Sequence, residues 1–246
     1  EEASEVLRST VIDLVICMPG NADNDAFDVA RDIKSRFPNI HCVVLTPFSH
    51  GITKRMENED LSIFDYVFCW LGNTNLILSI IKLIEDKMNL EHDIQEAGVQ
   101  MILLVEDSIR FYSSILPNLY NYILEQSKNF SKEALNRHAA TMRMRGRPKV
   151  VLARTYEEAQ KLYDKYSNNT LGVISDARFP LKSAAKAFGN KVETEAKPKH
   201  RTDTFGREKC PDAGLQLFRY IRKNDPFVPL ILESSESDNR VKAEAE

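Results

Sequence analysis

Two apolar runs far apart in the chain end in carboxylates: Met101-Ile-Leu-Leu-Val-Glu106-Asp107-Ser108 and Leu171-Gly-Val-Ile-Ser-Asp176-Ala-Arg-Phe-Pro180. Runs of Val, Ile and Leu bounded by turn residues predict buried parallel strands, and in open α/β sheets ligands lie just beyond the carboxyl ends of the strands. Glu106, Asp107 and Asp176 are therefore expected to converge. Three carboxylates at close range oppose one another's ionisation, and a hard divalent cation such as Mg2+, which prefers oxygen ligands, reverses that penalty. The chemistry this pattern predicts is a metal-assisted carboxylate site. The plainer alternative is that carboxylates after buried strands serve as helix N-caps, with Asp107 capping a helix that starts at 108.

Bulk properties narrow the remaining classes. The 246 residues are 43% hydrophobic and 28% charged, ordinary for a soluble globular chain and long enough for two small cores. A formal net charge of −3 implies no general affinity for nucleic acid or an anionic membrane. No apolar run approaches the roughly 20 residues needed to cross a bilayer. The acidic start Glu1-Glu2-Ala3-Ser4-Glu5 is unlike a secretion signal, so the expected location is cytoplasmic. Cys17, Cys42, Cys69 and Cys210 lack CxxC spacing, and three of them lie in or beside apolar runs, which predicts buried reduced thiols. No GxxxxGK[ST] loop and no GxGxxG after a strand is present, which argues against nucleotide binding.

The elements that must position the carboxylates alternate between strand and helix, which predicts βα units on parallel sheets. In the first half the pattern gives a helix at 3–9, strand 11–17, helix 25–36, strand 41–46, helix 52–58, strand 64–70 and helix 74–88, capped by Asn73 or Thr74. A polar linker from Asn89 to Gly98 follows. The second half gives strand 100–106, a helix from 108 to about 127, strand 149–153, helix 155–167, strand 171–176, helix 212–224 and strand 228–233. Two stretches interrupt it. Residues 128–148 are basic and polar, a helical extension before Pro148. Residues 181–209 carry Lys182, Lys186, Lys191, Lys197, Lys199, Arg201, Arg207 and Lys209, hold few large apolar side chains, and predict a mobile loop that buries little.

These residues resemble the receiver domain of two-component response regulators. Glu106-Asp107 matches the family's acidic pair, and Asp176 with Pro180 four residues on matches the phospho-accepting Asp and its trailing proline. Asp212-Ala-Gly214 followed by Leu215, Leu217, Phe218 and Ile221 matches the Gly-led third helix. Pro229-Leu-Ile-Leu-Glu-Ser234-Ser235 matches the fourth strand and its phosphoryl-contacting Ser. In the first half, Asp13-Leu-Val-Ile-Cys-Met-Pro-Gly20, Val43-Val-Leu-Thr46 and Phe64-Asp-Tyr-Val-Phe-Cys69 resemble a receiver's third, fourth and fifth strands. There the acceptor carboxylate is missing, and Cys69 or Trp70 stands where the family keeps a Lys. Phe111-Tyr-Ser-Ser-Ile-Leu-Pro117 and the basic stretch ending at Pro148 also resemble the receiver-like N-terminal region of phosphoenolpyruvate synthase (pyruvate phosphate dikinase) type proteins in Bacteroides relatives.

The resemblance implies an α/β, flavodoxin-like doubly wound parallel sheet in two lobes, each incomplete: a degenerate receiver-like lobe at 1–94 and a second lobe at 99–246 that carries the site. It implies that the chain is no enzyme in its own right but accepts a phosphoryl group on Asp176 from a histidine kinase or phosphotransfer protein. Glu106, Asp107, Asp176 and the backbone carbonyl of Arg178 would hold Mg2+, and Ser234 would contact the phosphoryl group. An output domain in the same or another chain would read the change. The second lobe lacks a fifth strand and its Lys, so strand 228–233 is expected to leave an open edge that the first lobe or a second copy in a homodimer covers. The rival reading is a silent pseudo-receiver that serves as an interaction or dimerisation module for an attached phosphoenolpyruvate synthase-like enzyme.

Overall fold

The computed structural model describes residues 2–19, 26–47, 61–182, 202–203 and 206–234. The helix predicted at 52–58 and most of the basic stretch 181–209 lie outside them. The described elements are α1 (Glu2–Ser9), β1 (Leu14–Cys17), α2 (Ala26–Arg36), β2 (His41–Pro47), β3 (Tyr66–Trp70), α3 (Asn75–Ala97), β4 (Met101–Val105), α4 (Ile109–Lys132), α5 (Arg137–Arg145), β5 (Lys149–Ala153), α6 (Tyr156–Tyr166), β6 (Thr170–Asp176), β7 (Phe179–Pro180), β8 (Lys209–Cys210), α7 (Ala213–Asn224) and β9 (Leu230–Glu233). No helix among them is long and apolar enough to cross a membrane.

The strands form two parallel sheets of mixed α/β type, ordered β1-β2-β3 and β5-β4-β6-β9, with a short antiparallel ribbon of β7 and β8. The order fits a doubly wound sheet. From β4 the chain adds β5 on one side and then β6 on the other, so the direction of winding reverses between β4 and β6. The crevice at such a reversal is where α/β sheets place ligands.

The helix predicted to stop at 88 continues to Ala97, and the stretch read as a polar linker is its last turns. Leu90 is buried and Ile94 packs against the second core, so the apolar stripe persists through polar neighbours. Gly98 ends the helix in the left-handed region, at φ 60°, its N–H donating back to the carbonyls of Asp93 and Ile94. The predicted start cap is present: Asn73 Oδ1 accepts the Asn75 N–H at 3.0 Å. The polar stretch 128–148 is helical, as expected, but in two pieces, the end of α4 and α5, whose N-cap Asn136 accepts the Ala139 N–H at 2.8 Å. Strand β1 is shorter than predicted, because Val11 stands exposed with no sheet to enter.

One apolar cluster draws on both halves of the chain, joining Phe68, Ile80 and Leu83 to Leu104, Tyr112, Tyr120 and Val150. Helix α4 is the joint. Among the described residues β3 is an edge strand of its sheet, and α4 supplies side chains to its backbone: the Tyr112 hydroxyl donates to the Val67 carbonyl, and Ser113 Oγ accepts the Cys69 N–H at 2.9 Å. A second tie is ionic. Asp86 of α3 has no solvent exposure, and its carboxylate accepts from Arg147 (3.0 and 2.6 Å), the Tyr120 hydroxyl (2.9 Å) and the Val150 N–H (3.0 Å). Helices α3 and α4 are thereby fixed to β5.

Breaking a buried ion pair by removing one partner strands the other, at a cost of about 3–5 kcal/mol. Asp86→Ala should therefore lower the unfolding free energy by about that amount, read from denaturant titration. A loss under about 1 kcal/mol would show that Arg147 finds water or another acceptor at no cost.

Candidate functional site

Asp176 is the last residue of β6, and Glu106 and Asp107 directly follow β4. The β4–β6 register pairs Val105 with Ser175, which sets Glu106 beside Asp176. Ligand oxygens of Glu106, Asp107 and Asp176 lie within 4.8 Å of one another; among the described residues no other group of three His, Cys, Asp or Glu side chains does so. The sequence-predicted convergence is present.

Backbone donors hold Glu106 and Asp176 in place. The Glu106 N–H donates to the Ala153 carbonyl at 3.0 Å, while Glu106 Oε1 accepts the Ser108 N–H at 2.9 Å. It is thus Glu106, not Asp107, whose carboxylate serves the start of α4; the N-cap Ser108 makes no side-chain cap bond. Asp176 Oδ1 accepts the Ala177 N–H at 2.7 Å, and the Arg178 N–H adds a second bond. Across the sheet, Ala177 donates to the Glu233 carbonyl at 2.9 Å, which ties the turn after Asp176 to β9.

Gly214 closes the site from α7. Its N–H donates to the Ala177 carbonyl at 3.1 Å, and a Cβ there would meet the Asp176 carbonyl oxygen at 2.4 Å and Leu232 Cδ1 at 2.7 Å. Only glycine lets the helix start come this near the strand end. The remaining predicted residues are less central: Ser234 is exposed, one residue beyond Glu233, the β9 partner of Asp176, and Arg178 is half-buried in the turn after β6. In the first half, Cys69 is buried and gives its N–H to Ser113, and Trp70 is half-buried at the end of β3.

A residue at the site that the sequence does not single out is Lys209. The basic stretch was expected to stay loose and solvated, but its last residues fold back on the site: β8 pairs antiparallel with β7, Phe179 against Cys210 and Pro180 against Lys209. The Lys209 ammonium donates to Asp107 Oδ1 at 3.0 Å and lies 2.8 Å from Oδ2, an ion pair at the second oxygen outside hydrogen-bond geometry. A buried partner for this one lysine overrides the local composition. Nothing in the sequence distinguishes it from its seven basic neighbours; its only mark is adjacency to Cys210 and Pro211 at the end of the run.

Burial dominates the electrostatics. It pushes the Glu106 carboxyl up to about 8, with the Asp176 charge adding to the shift and the Ser108 N–H opposing it. Burial likewise raises Asp107 to about 6 against the pull of Lys209, and it raises Asp176 against the N–H of Ala177, the charge of Lys209 and the N–H of Arg178. The donors are all hard oxygens, and Asp107 Oδ2, fully buried, receives no hydrogen bond, a set that fits a Mg2+-like ion. No family model, curated protein or solved structure matches this chain.

Glu106 binds its proton more tightly in the folded chain than the ordinary 4.5, so between about 4.5 and about 8 the folded state holds more protons than the unfolded one. Its contribution to stability is then complete below about 4.5 and lost as pH rises through about 8. Glu106→Gln should flatten that decline and, with chelator present, exceed the natural chain in stability at the upper end by an amount of the order of a few kcal/mol. Parallel pH profiles of the two chains would contradict the assignment. Separately, Gly214→Ala should cost about 1–3 kcal/mol by overpacking the strand end, and wild-type stability would show that α7 can retreat freely.

Proposed function

We propose that the chain is a signal-transduction receiver module in which Asp176 accepts a phosphoryl group, with Mg2+ required, and the change alters contacts with an output or partner domain. The observation that carries this reading is the gathering of Glu106, Asp107 and Asp176 within 4.8 Å at the winding reversal of a parallel sheet. Glu106, Asp107, Asp176 and the Arg178 carbonyl would hold the metal ion. When bound, such an ion draws negative charge from phosphoryl oxygens and compensates the carboxylates.

The chain's own residues do the rest. The N–H groups of Ala177 and Arg178 favour the ionised form of Asp176 against the burial that opposes it, and they fix its direction. A carboxylate oxygen of Asp176 then attacks the phosphorus of a phosphohistidine or small acyl phosphate. A new P–O bond forms as the P–N or P–O bond to the donor breaks, and the leaving group departs with that electron pair. From a histidine kinase or phosphotransfer protein the departing imidazole takes up a proton; an acyl phosphate leaves as a carboxylate and needs none. Ser234, in the cytoplasmic module envisaged here, would turn its hydroxyl to a new phosphoryl oxygen.

A second reading is favoured by a specific contact. Lys209 already supplies one positive charge to Asp107, as a silent pseudo-receiver would need to tolerate its buried carboxylates. Such a module would act by interaction or dimerisation, regulating an attached phosphoenolpyruvate synthase-like enzyme. Intact-mass spectrometry of the full chain with Mg2+ and acetyl phosphate separates the two. The acceptor reading expects a gain of one phosphoryl group that Asp176→Asn abolishes. No gain at saturating donor, or a gain that survives the substitution, sinks it.

A further inference from the structure

Lys209 reaches the carboxylates by a route fixed in the backbone. Three residues after Asp176 the chain enters β7, where Phe179 is fully buried, and β8 returns antiparallel to it. The register places Lys209 opposite Pro180 at the mouth of the site. Just before it, Asp203 and Arg207 form a tight pair: Asp203 Oδ1 accepts the Arg207 N–H at 2.7 Å and Oδ2 accepts Nε at 2.6 Å, around a turn in which Gly206 takes φ 70°. The Lys209 side chain retains 21% exposure while that of Asp107 has none. The ammonium thus stands between solvent and the carboxylate.

We infer that Lys209 is a tethered cation that competes with the divalent ion for Asp107, so that it sets the metal affinity of the site. The inference rests on the reading of the three carboxylates as a metal site, but not on phosphoryl transfer. A Mg2+ ion binds carboxylate oxygen at about 2.0–2.1 Å and demands near-octahedral geometry. Lys209 Nζ is 3.0 and 2.8 Å from the two Asp107 oxygens, so both sit against the ammonium. An ion and an ammonium on one small, fully buried carboxylate repel each other at short range, where that repulsion is weakly screened. Metal entry therefore exchanges one cation for the other: Lys209 leaves Asp107, and the ribbon carrying it loses its ionic anchor.

A lysine that merely braces the fold makes the opposite prediction. Its removal would weaken or leave unchanged the binding of metal, because a loosened site is less well organised. Under competition, removal leaves Asp107 buried without a counter-charge, and a divalent ion becomes the better partner.

Calorimetric titration of Mg2+ into the full chain, with no phosphoryl donor, reads the difference. Lys209→Met should tighten the dissociation constant by about tenfold or more. Lys209→Arg should restore an affinity near that of the natural chain, since a guanidinium also pairs with carboxylate. An unchanged or weaker affinity in Lys209→Met, or no detectable binding to either chain, overturns the inference. If Lys209→Met does not fold, hydrogen exchange of the natural chain decides: saturating Mg2+ should speed exchange in the peptide spanning 206–212, and unaltered or slower exchange there overturns the inference. Tighter binding by Lys209→Met in a chain that never takes up phosphoryl would leave this inference standing while the acceptor reading falls.

Discussion

Parallel pairing of β4 with β6 forces three carboxylates into one buried crevice, and the surrounding structure answers the electrostatic problem this creates. Residues at adjacent strand ends cannot be moved apart without shifting register, and a shift by one residue would send every side chain of the slipped strand to the opposite face. The crevice must therefore be managed where it stands. Main-chain N–H groups face Glu106 and Asp176, a lysine faces Asp107, and the residual strain appears as carboxyls that hold their protons far above the ordinary range.

The sheet can bear that strain because its frame is tied elsewhere. Asp86 shows how a buried charge is held: Arg147, Tyr120 and the Val150 N–H satisfy both oxygens, so one group bridges two helices and a strand. The Tyr112 and Ser113 bonds to the backbone of β3 do the same for the other sheet. α4, whose N-cap Ser108 directly follows Asp107, thus bonds the edge of the three-stranded sheet through its first turns, close to the site. The contrast is physical: at Asp86 donors outnumber the charge, whereas at Asp107 a single ammonium faces a carboxylate in a cluster of three.

Features set by short-range pattern were legible in the sequence. The apolar runs ending at Glu106 and Asp176 announce buried strands, and order along the chain then fixes where their ends meet. Gly214 was legible as a helix leader, although the reason, a carbonyl that a Cβ would strike, lies in the packing of α7 against the end of β6. Long-range pairing was not legible. Lys209 earns its place through a partner 102 residues away, and composition cannot single out one lysine from a basic run. The end of α3 was misread because Leu90 and Ile94 are sparse among polar residues, yet two well-placed apolar contacts suffice to prolong a helix already nucleated. The core shared between halves was likewise hidden, since tyrosines such as Tyr112 and Tyr120 carry no mark of which strand or carboxylate they will bond.

The same geometry decides where a change of charge at the site would be felt. Asp176 is paired in register with Glu233, and Ala177 donates to the Glu233 carbonyl, so β9 is bonded to the very turn that follows Asp176. The Glu233 carboxyl is itself raised, by burial and then by the charge of Asp176. Among the described residues β9 is the outermost strand of its sheet, with Ile231 half exposed and Ser234 exposed just beyond. An edge strand is restrained on one side only and offers free backbone groups on the other. On the opposite flank, β4 is enclosed by β5 and β6 and by helices tied to Asp86, and it has no comparable freedom. Added negative charge at Asp176 would therefore act on a rigid side and a yielding side, and the yielding side is the one that faces outward.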